Sequence, residues 1–271
     1  MKKFEGILIC TDLDGTLLRN DKSISAENSE AIEYFKANGG LFTFATGRMH
    51  YYSADSYNKV KPNAPVSCMN GGCIYDFVQG KYLWKSGIDK EVSGLIEYVD
   101  KSFPDVGIQV NTFEKAYFCK DNDAMVWFRK VTGLENIRGH YKDIDEPWAK
   151  IILGHLDETR LLEMLKELKM HPLGNSYDFV HSEKSLMEIL PKGINKGIAI
   201  HKFSEILGID KNKIVAIGDF ENDVEMIKKA GVGIAVANAC PAAKEVADIV
   251  TVSNEEHAIA KIIYSIEEII K

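Results

Sequence analysis

The chain has 271 residues, of which 45% are hydrophobic and 27% charged, and its formal net charge is -7. This composition is typical of a globular protein with one large or two small domains, and its acidity argues against binding nucleic acid or anionic membranes. The apolar runs are too short to span a bilayer, and five cysteines without a C-x-x-C pair predict reduced thiols in a cytoplasmic protein.

The first predicted strand, residues 7–11, ends in two carboxylates. Asp12 and Asp14 follow it with one residue between them, so both side chains lie on the same side of an extended backbone. Carboxylates this close repel each other unless a cation or a shared proton compensates them, and Mg²⁺ prefers oxygen ligands. Taken alone, the motif fits a metal site about as well as an ordinary turn formed by aspartate.

A helix over residues 26–38 and a strand over residues 41–45 are predicted next. Thr46 and Gly47 directly follow that strand, and a hydroxyl group with the N–H groups of a glycine turn can hold phosphate oxygens. The neighbouring Arg48 fits a structural ion pair as well as a substrate contact. Asn70, in an Asn-Gly pair, could orient the loop on the phosphate side, but a hairpin turn is the better explanation from the sequence.

The middle of the chain has a different pattern, with many aromatic residues and grouped strand candidates. Strands are predicted at 107–110, 116–119 and 150–153, and helices at 90–101 and 158–169. We therefore predict an α+β domain over residues 83–187, inserted into a core formed by residues 1–82 and 188–271.

The last part of the chain alternates helices and apolar strands. We predict helices at 196–207, 222–230, 241–247 and from 255, and strands at 214–217, 233–236 and 249–250. Such alternation predicts an α/β fold, a doubly wound Rossmann-like core with a parallel sheet covered on both faces. Lys196 is the first residue of the helix predicted at 196–207. A cation is unfavourable at the N-terminus of a helix, so this position suggests that Lys196 contacts a ligand.

Polar side chains therefore follow several strands of one predicted parallel sheet. Asp219, Asn222 and Asp223 come after the strand at 214–217, as Asp12 and Thr46 come after theirs. Because the carboxyl ends of parallel strands share one edge, these groups should converge there with Lys196. Carboxylates for Mg²⁺, a lysine and N–H groups for a phosphate, and a further carboxylate as nucleophile together suit phosphoryl transfer.

These motifs, in this order, resemble those of the haloacid dehalogenase-like (HAD) superfamily hydrolases, specifically the Cof-type subfamily with a type IIB α/β cap. The resemblance implies a Mg²⁺-dependent phosphatase that hydrolyses small phosphomonoesters through an aspartyl-phosphate intermediate. Asp12 would be the nucleophile, and Asp14 would protonate the leaving alcohol and then activate water. The residues implied as metal ligands or metal neighbours are Asp12, Asp14 (by its carbonyl), Asp219 and Asp223. Those implied to hold the phosphate are Thr46, Gly47, Lys196 and Asn222.

The expected partner is a small phosphorylated metabolite such as a sugar phosphate, with no nucleic acid or membrane partner, and the expected state is a monomer or weak homodimer. Two other functions fit the same motifs. One is a phosphomutase acting on a phosphosugar, and the other is a non-catalytic protein that binds a phosphometabolite. The inserted domain would choose the leaving group.

Overall fold

The computed structural model describes residues 2–270. Its strands are β1 (Leu8–Thr11), β2 (Leu41–Phe44), β3 (Val66–Cys68), β4 (Cys73–Asp76), β5 (Lys81–Lys85), β6 (Gly107–Thr112), β7 (Ala116–Lys120), β8 (Ile137–Arg138), β9 (Trp148–Gly154), β10 (Tyr177–Glu183), β11 (Leu186–Pro191), β12 (Ile214–Gly218), β13 (Val232–Ala235) and β14 (Ile249–Val250). Its α-helices are α1 (Ala26–Ala37), α2 (Ala54–Val60), α3 (Ser93–Ser102), α4 (Asp123–Thr132), α5 (Glu158–Met170), α6 (Lys196–Leu207), α7 (Val224–Lys229), α8 (Pro241–Val246) and α9 (Ala258–Ile269).

The chain folds into two compact units. One unit comprises the chain up to Lys85 and from Asn195 onwards, and the other comprises Ser86–Ile194. The first contains a parallel five-stranded sheet with the order β14-β13-β12-β1-β2. Every residue of β1 is buried, so both faces of this sheet are covered. This confirms the predicted α/β class with a parallel-sheet core.

Helices α6 and α7 help to build the core on one face of this sheet. Phe203 of α6 and Met226 of α7 belong to one buried cluster with Leu8 and Cys10 of β1. Burying such large apolar side chains is the main favourable term that holds α6 and α7 against the sheet. Strands β3, β4 and β5 form a separate antiparallel sheet in the same unit.

The second unit has a six-stranded sheet with the order β10-β11-β9-β6-β7-β8. Its neighbouring strands are antiparallel except for β7 and β8. Helices α3 and α5 contribute Leu95, Ile96, Leu161 and Met164 to a buried cluster with residues of this sheet. The two helices and three strands predicted here are present at α3, α5, β6, β7 and β9.

Some predicted elements need correction. The helix predicted at 222–230 is split into a 3₁₀ turn, Glu221–Asp223, followed by α7. The last helix begins at Ala258 and not at residue 255, because His257 has a left-handed backbone (φ +61°) that cannot continue a helix. Helices α2 and α4 and strands β5, β8, β10 and β11 were not predicted, and strands β3 and β4 were implied only by the hairpin turn at Asn70. Within residues 2–270, no helix combines the length and apolar character needed to cross a bilayer.

Candidate active site

The predicted site residues lie on loops that follow neighbouring strands of the parallel sheet. Asp12 comes directly after β1, Thr46 lies two residues after β2, and Asp219 comes directly after β12. Because β1 lies between β2 and β12, these three strand ends are adjacent in space. Lys196 is the first residue of α6 and is 1% exposed. The predicted convergence at the carboxyl edge is therefore present in the structure.

Three carboxylates form a compact group, which we call the carboxylate cluster: Asp12, Asp219 and Asp223. Each offers an oxygen atom, and these atoms lie within 4.8 Å of one another. The ammonium group of Lys196 donates to Oδ1 of Asp12 and to Oδ1 of Asp223, each at 2.6 Å. Lys196 therefore offsets part of the negative charge of the cluster from inside the protein.

The loop after β12 is held in place by Asp223. Oδ2 of Asp223 accepts hydrogen bonds from the backbone N–H groups of Asp219 and Phe220, at 3.0 and 3.1 Å. Both oxygens of the buried Asp223 are thus used, one for Lys196 and one for the loop. These hydrogen bonds from Asp223 hold the backbone at Asp219 in place directly after β12.

The loop after β1 approaches Asp219 closely. The hydroxyl of Thr16 donates to Oδ1 of Asp219 at 2.7 Å. Gly15 has φ +84°, and a Cβ atom at this position would lie 2.5 Å from Oδ2 of Asp219. Only glycine allows both this backbone conformation and this contact, which explains the glycine of the acidic motif.

The electrostatics of the cluster show an excess of negative charge. Burial, more than any neighbouring charge, raises the pKa of Asp12 well above its usual range. Burial and the nearby Asp223 raise the pKa of Asp219 to about 7. Burial opposes the charged form of Lys196 as well, but Asp12 and Asp223 outweigh it and raise the pKa of this lysine. Three carboxylates facing one ammonium group leave a negative balance in a poorly solvated place.

A divalent cation fits this arrangement. Carboxylate oxygens are the ligands of hard cations, and positive charge here would compensate the negative balance of the carboxylate cluster. The side chain of Asp14 is outside the cluster, so only its backbone carbonyl remains open to the metal-ligand role expected for it.

Asp14 makes a second, separate set of ion pairs. Arg48 donates through Nη2 to both oxygens of Asp14, at 3.0 and 2.7 Å, and Lys22 donates to Oδ1 at 2.9 Å. Burial favours the neutral form of Asp14, but Arg48 and Lys22 outweigh it and lower its pKa. The sequence left the role of Arg48 undecided and gave no signal for Lys22, because the pairing depends on the fold.

The predicted phosphate-binding residues are joined by Asn70. The backbone N–H of Asn70 donates to the carbonyl of Thr46 at 3.0 Å, and Nδ2 of Asn222 donates to Oδ1 of Asn70 at 3.0 Å. A Cβ atom on Gly47 would lie 3.1 Å from Nδ2 of Asn70. Asn70 lies in the turn between β3 and β4, so the hairpin prediction is correct, but that prediction missed these contacts.

Comparison with known proteins gives a consistent result. A family model described as haloacid dehalogenase-like hydrolase matches residues 9–263. The chain is 30% identical to the 5-amino-6-(5-phospho-D-ribitylamino)uracil phosphatase YcsE of Bacillus subtilis (strain 168), over 94% of this chain and 94% of the relative. It is 28% identical to the HMP-PP phosphatase of Yersinia enterocolitica, over 88% of this chain and 86% of the relative.

The fold is also found among solved structures. The crystal structure of a haloacid dehalogenase-like hydrolase from Bacteroides thetaiotaomicron matches with a TM-score of 0.82 and 26% identity. The match covers 96% of this chain and 99% of the other. The similarity therefore extends through the parallel-sheet core and the inserted unit.

Proposed function

The chain belongs to the haloacid dehalogenase-like hydrolases and is a phosphatase, and from this premise we propose that it hydrolyses phosphomonoesters of small metabolites with Mg²⁺ as its metal and Asp12 as its nucleophile. The observation that carries the proposal is the carboxylate cluster with Lys196 bonded to two of its members. A protein that only binds phosphate has no need of a carboxylate beside the anion, because the two repel each other.

Asp12 is the member of the cluster suited to attack phosphorus. It is 7% exposed, and its backbone N–H donates to the carbonyl of Ile217 at 2.8 Å, which fixes it against β12. Lys196 favours the carboxylate form of Asp12 against the larger effect of burial, and it presents positive charge at the place where we expect a phosphoryl group to arrive. Asp219 and Asp223 would hold the metal together with Asp12, and the metal, when bound, supplies positive charge that offsets the phosphoryl oxygens.

The proposed reaction has two steps. In the first, an oxygen of Asp12 forms a bond to phosphorus, the bond from phosphorus to the leaving oxygen breaks, and Asp14 gives that oxygen a proton. In the second, water attacks phosphorus, the bond to Asp12 breaks, and Asp14 takes the proton of the water. The products are the free alcohol and inorganic phosphate.

Asp14 has the surroundings that the second step needs. Arg48 and Lys22 favour its carboxylate form, which is the form that accepts a proton. Nη2 of Arg48 contacts both oxygens of Asp14, which restricts the orientation of the carboxylate. Asp14 has its own cations, separate from Lys196, and this supports different roles for the two aspartates of the acidic motif.

The proposed substrates are small phosphorylated compounds. One relative is named for a phosphate ester of a ribitylamino compound and another as an HMP-PP phosphatase. We assign the choice of leaving group to the inserted unit, Ser86–Ile194. Thr46, Gly47, Lys196 and Asn222 are the residues to which we assign the phosphate group itself.

The test is phosphate release from a panel of sugar phosphates, nucleotides and cofactor phosphates, with Mg²⁺ and with EDTA. We expect metal-dependent release from a few small phosphomonoesters. Asp12→Asn should lower turnover about 10⁴-fold or more with little change in melting temperature, because Lys196 keeps its bond to Asp223. Asp55→Asn is the matched control, since this exposed aspartate of α2 pairs only with nearby Lys59 among the ion pairs of the described chain.

Two results would contradict the proposal. Turnover near the wild-type rate in Asp12→Asn would exclude the aspartyl-phosphate. Transfer of the phosphoryl group to another position of a sugar, in place of phosphate release, would favour the phosphomutase.

A further inference from the structure

The side-chain amide of Asn70 lies among the residues to which we assign the phosphate. Its Oδ1 accepts from Asn222, its backbone N–H donates to Thr46, and its amide group lies against Gly47. Thus one buried residue lies beside three of the four assigned positions, through its amide for Gly47 and Asn222 and through its backbone for Thr46. The fourth, Lys196, is next to the same turn, because a Cβ atom on Gly71 would lie 3.2 Å from the backbone nitrogen of Lys196.

One hydrogen-bonding group of Asn70 is left without a partner. Asn70 is 0% exposed, and its Nδ2 has no acceptor within residues 2–270. Burying an amide donor without an acceptor is unfavourable, so such a group calls for a specific reason. Its neighbours are a backbone loop and an amide assigned to phosphate, so an anion at the same place would supply the missing acceptor.

The position of the amide is set by an unusual turn. Met69, Asn70 and Gly71 all have positive φ, at +58°, +52° and +90°. The turn is bonded to the loop after β2, with the N–H of Met69 donating to the carbonyl of Arg48 and that of Asn70 to Thr46. Asparagine tolerates this backbone better than most residues, and it also carries a donor and an acceptor on one rigid group.

We propose that Asn70 is a further phosphate-binding residue, whose Nδ2 donates to an oxygen of the phosphoryl group while its Oδ1 orients the amide of Asn222. The assignment rests on the proposed function and extends it. Asn70 would add a neutral donor to the charged groups that we assign to the phosphoryl group and the metal. The same contact would form with inorganic phosphate, the product of hydrolysis.

The test compares Asn70→Asp with the wild-type protein for inhibition by inorganic phosphate in the presence of Mg²⁺. Aspartate keeps the shape, the acceptor for Asn222 and tolerance of positive φ, but it replaces the donor by a carboxylate oxygen. We expect phosphate to bind about 10- to 100-fold more weakly, as for a lost hydrogen bond to a charged group. Binding within about twofold of wild type would overturn the assignment.

Asn28→Asp is the matched control. Asn28 of α1 is also 0% exposed, its Oδ1 accepts from the N–H of Ala260, and its Nδ2 also lacks an acceptor in the described chain. The same chemical change there should lower the melting temperature without changing the inhibition constant for phosphate. An equal loss of phosphate affinity in both variants would mean that the effect of Asn70→Asp is only structural.

A second variant covers the case in which Asn70→Asp does not fold. Asn70→Gly fits the positive φ, and we expect it to weaken phosphate binding by a similar factor. Combined with Asn222→Ala it should lose less than the product of the two separate factors, because Asn70 acts partly through Asn222. Phosphate affinity within about twofold of wild type in Asn70→Gly would also overturn the assignment. A double variant that loses the full product of the two separate factors would contradict the link through Asn222.

Failure of this assignment is distinguishable from failure of the proposed function. If the wild-type protein releases phosphate and Asn70→Asp binds phosphate as tightly as wild type, only the role of Asn70 is wrong. If the wild-type protein neither releases nor binds phosphate, both are wrong.

Discussion

Each unit of the chain buries a lysine against a carboxylate, and the two lysines have different surroundings. In the inserted unit, Lys150 of β9 donates to Glu188 of β11 at 2.7 Å, with side chains 2% and 4% exposed. In the core unit, Lys196 donates to two aspartates at 2.6 Å, and a third carboxylate completes the cluster. The first pair is balanced in charge, and the second group is not.

The difference separates a structural ion pair from a functional one. One lysine paired with one carboxylate between neighbouring strands carries no net charge of its own, so the pair does not call for a further ion. A group with more carboxylates than cations is tolerable only if something else brings positive charge. Burial and short contacts alone would not have distinguished the two sites.

The largest effect that tests this comparison is expected at Lys150. Lys150→Met leaves Glu188 buried without its cation and should lower the free energy of unfolding by about 3–5 kcal/mol. The double variant Lys150→Met/Glu188→Leu removes both charges and should return close to the wild-type value. Urea unfolding followed by circular dichroism measures both. A single variant as stable as wild type would show that the pair is not needed to hold the sheet.

A smaller effect is expected from metal binding at the core cluster. Mg²⁺ at 100 times its dissociation constant should raise the free energy of unfolding by about 2.7 kcal/mol, and EDTA should reverse the gain. Asp219→Asn removes one carboxylate of the cluster and should lose most of this stabilisation. Asp121 is an acidic residue of the inserted unit that pairs with Arg129, and Asp121→Asn should keep the stabilisation by Mg²⁺. Equal stabilisation in both variants, measured by melting temperature, would exclude the cluster as the metal site.

The smallest effect is expected at the exposed cation beside the acidic motif. The side chain of Lys22 is 62% exposed, so its ion pair with Asp14 should contribute less than about 1 kcal/mol. Lys22→Met should therefore change kcat/KM by less than about fivefold. Arg48→Met should cost more, because Arg48 is 23% exposed and bonds both oxygens of Asp14. Equal losses in the two variants would mean that burial does not decide the strength of these pairs.

Local signals in the sequence were enough for the strands of the parallel sheet and for most of the helices of the core unit. Helix α6 was predicted with its observed bounds, because an asparagine before it and a glycine after it mark the ends. The apolar strands of the parallel sheet were also recognised, since both of their faces are buried. Helix α4 was missed, because its valines and aromatic residues favour strands when read without tertiary context.

The candidate site was predictable in its members but not in its internal bonds. The motifs indicated that Asp12, Lys196 and Asp219 would meet at one sheet edge. They did not indicate that Asp223 would bond Lys196 and the loop after β12 at once, or that Asn70 would link Thr46 to Asn222. Such pairs join residues far apart in sequence, and a local pattern carries no information on their distance.

The order of strands also has a consequence for how the protein is made. Strand β1 pairs with β12, so Leu8 lies beside Ile214, and the inserted unit is translated between them. At about 5–20 residues per second, the ribosome delivers the partner of β1 roughly 10–40 s after β1 itself. During that time the edge of β1 that pairs with β12 is open, and an open strand edge can pair with other chains. Asp12 meets Lys196 and Asp219 only after this delay, so the carboxylate cluster is complete only when the C-terminal strands have been synthesised.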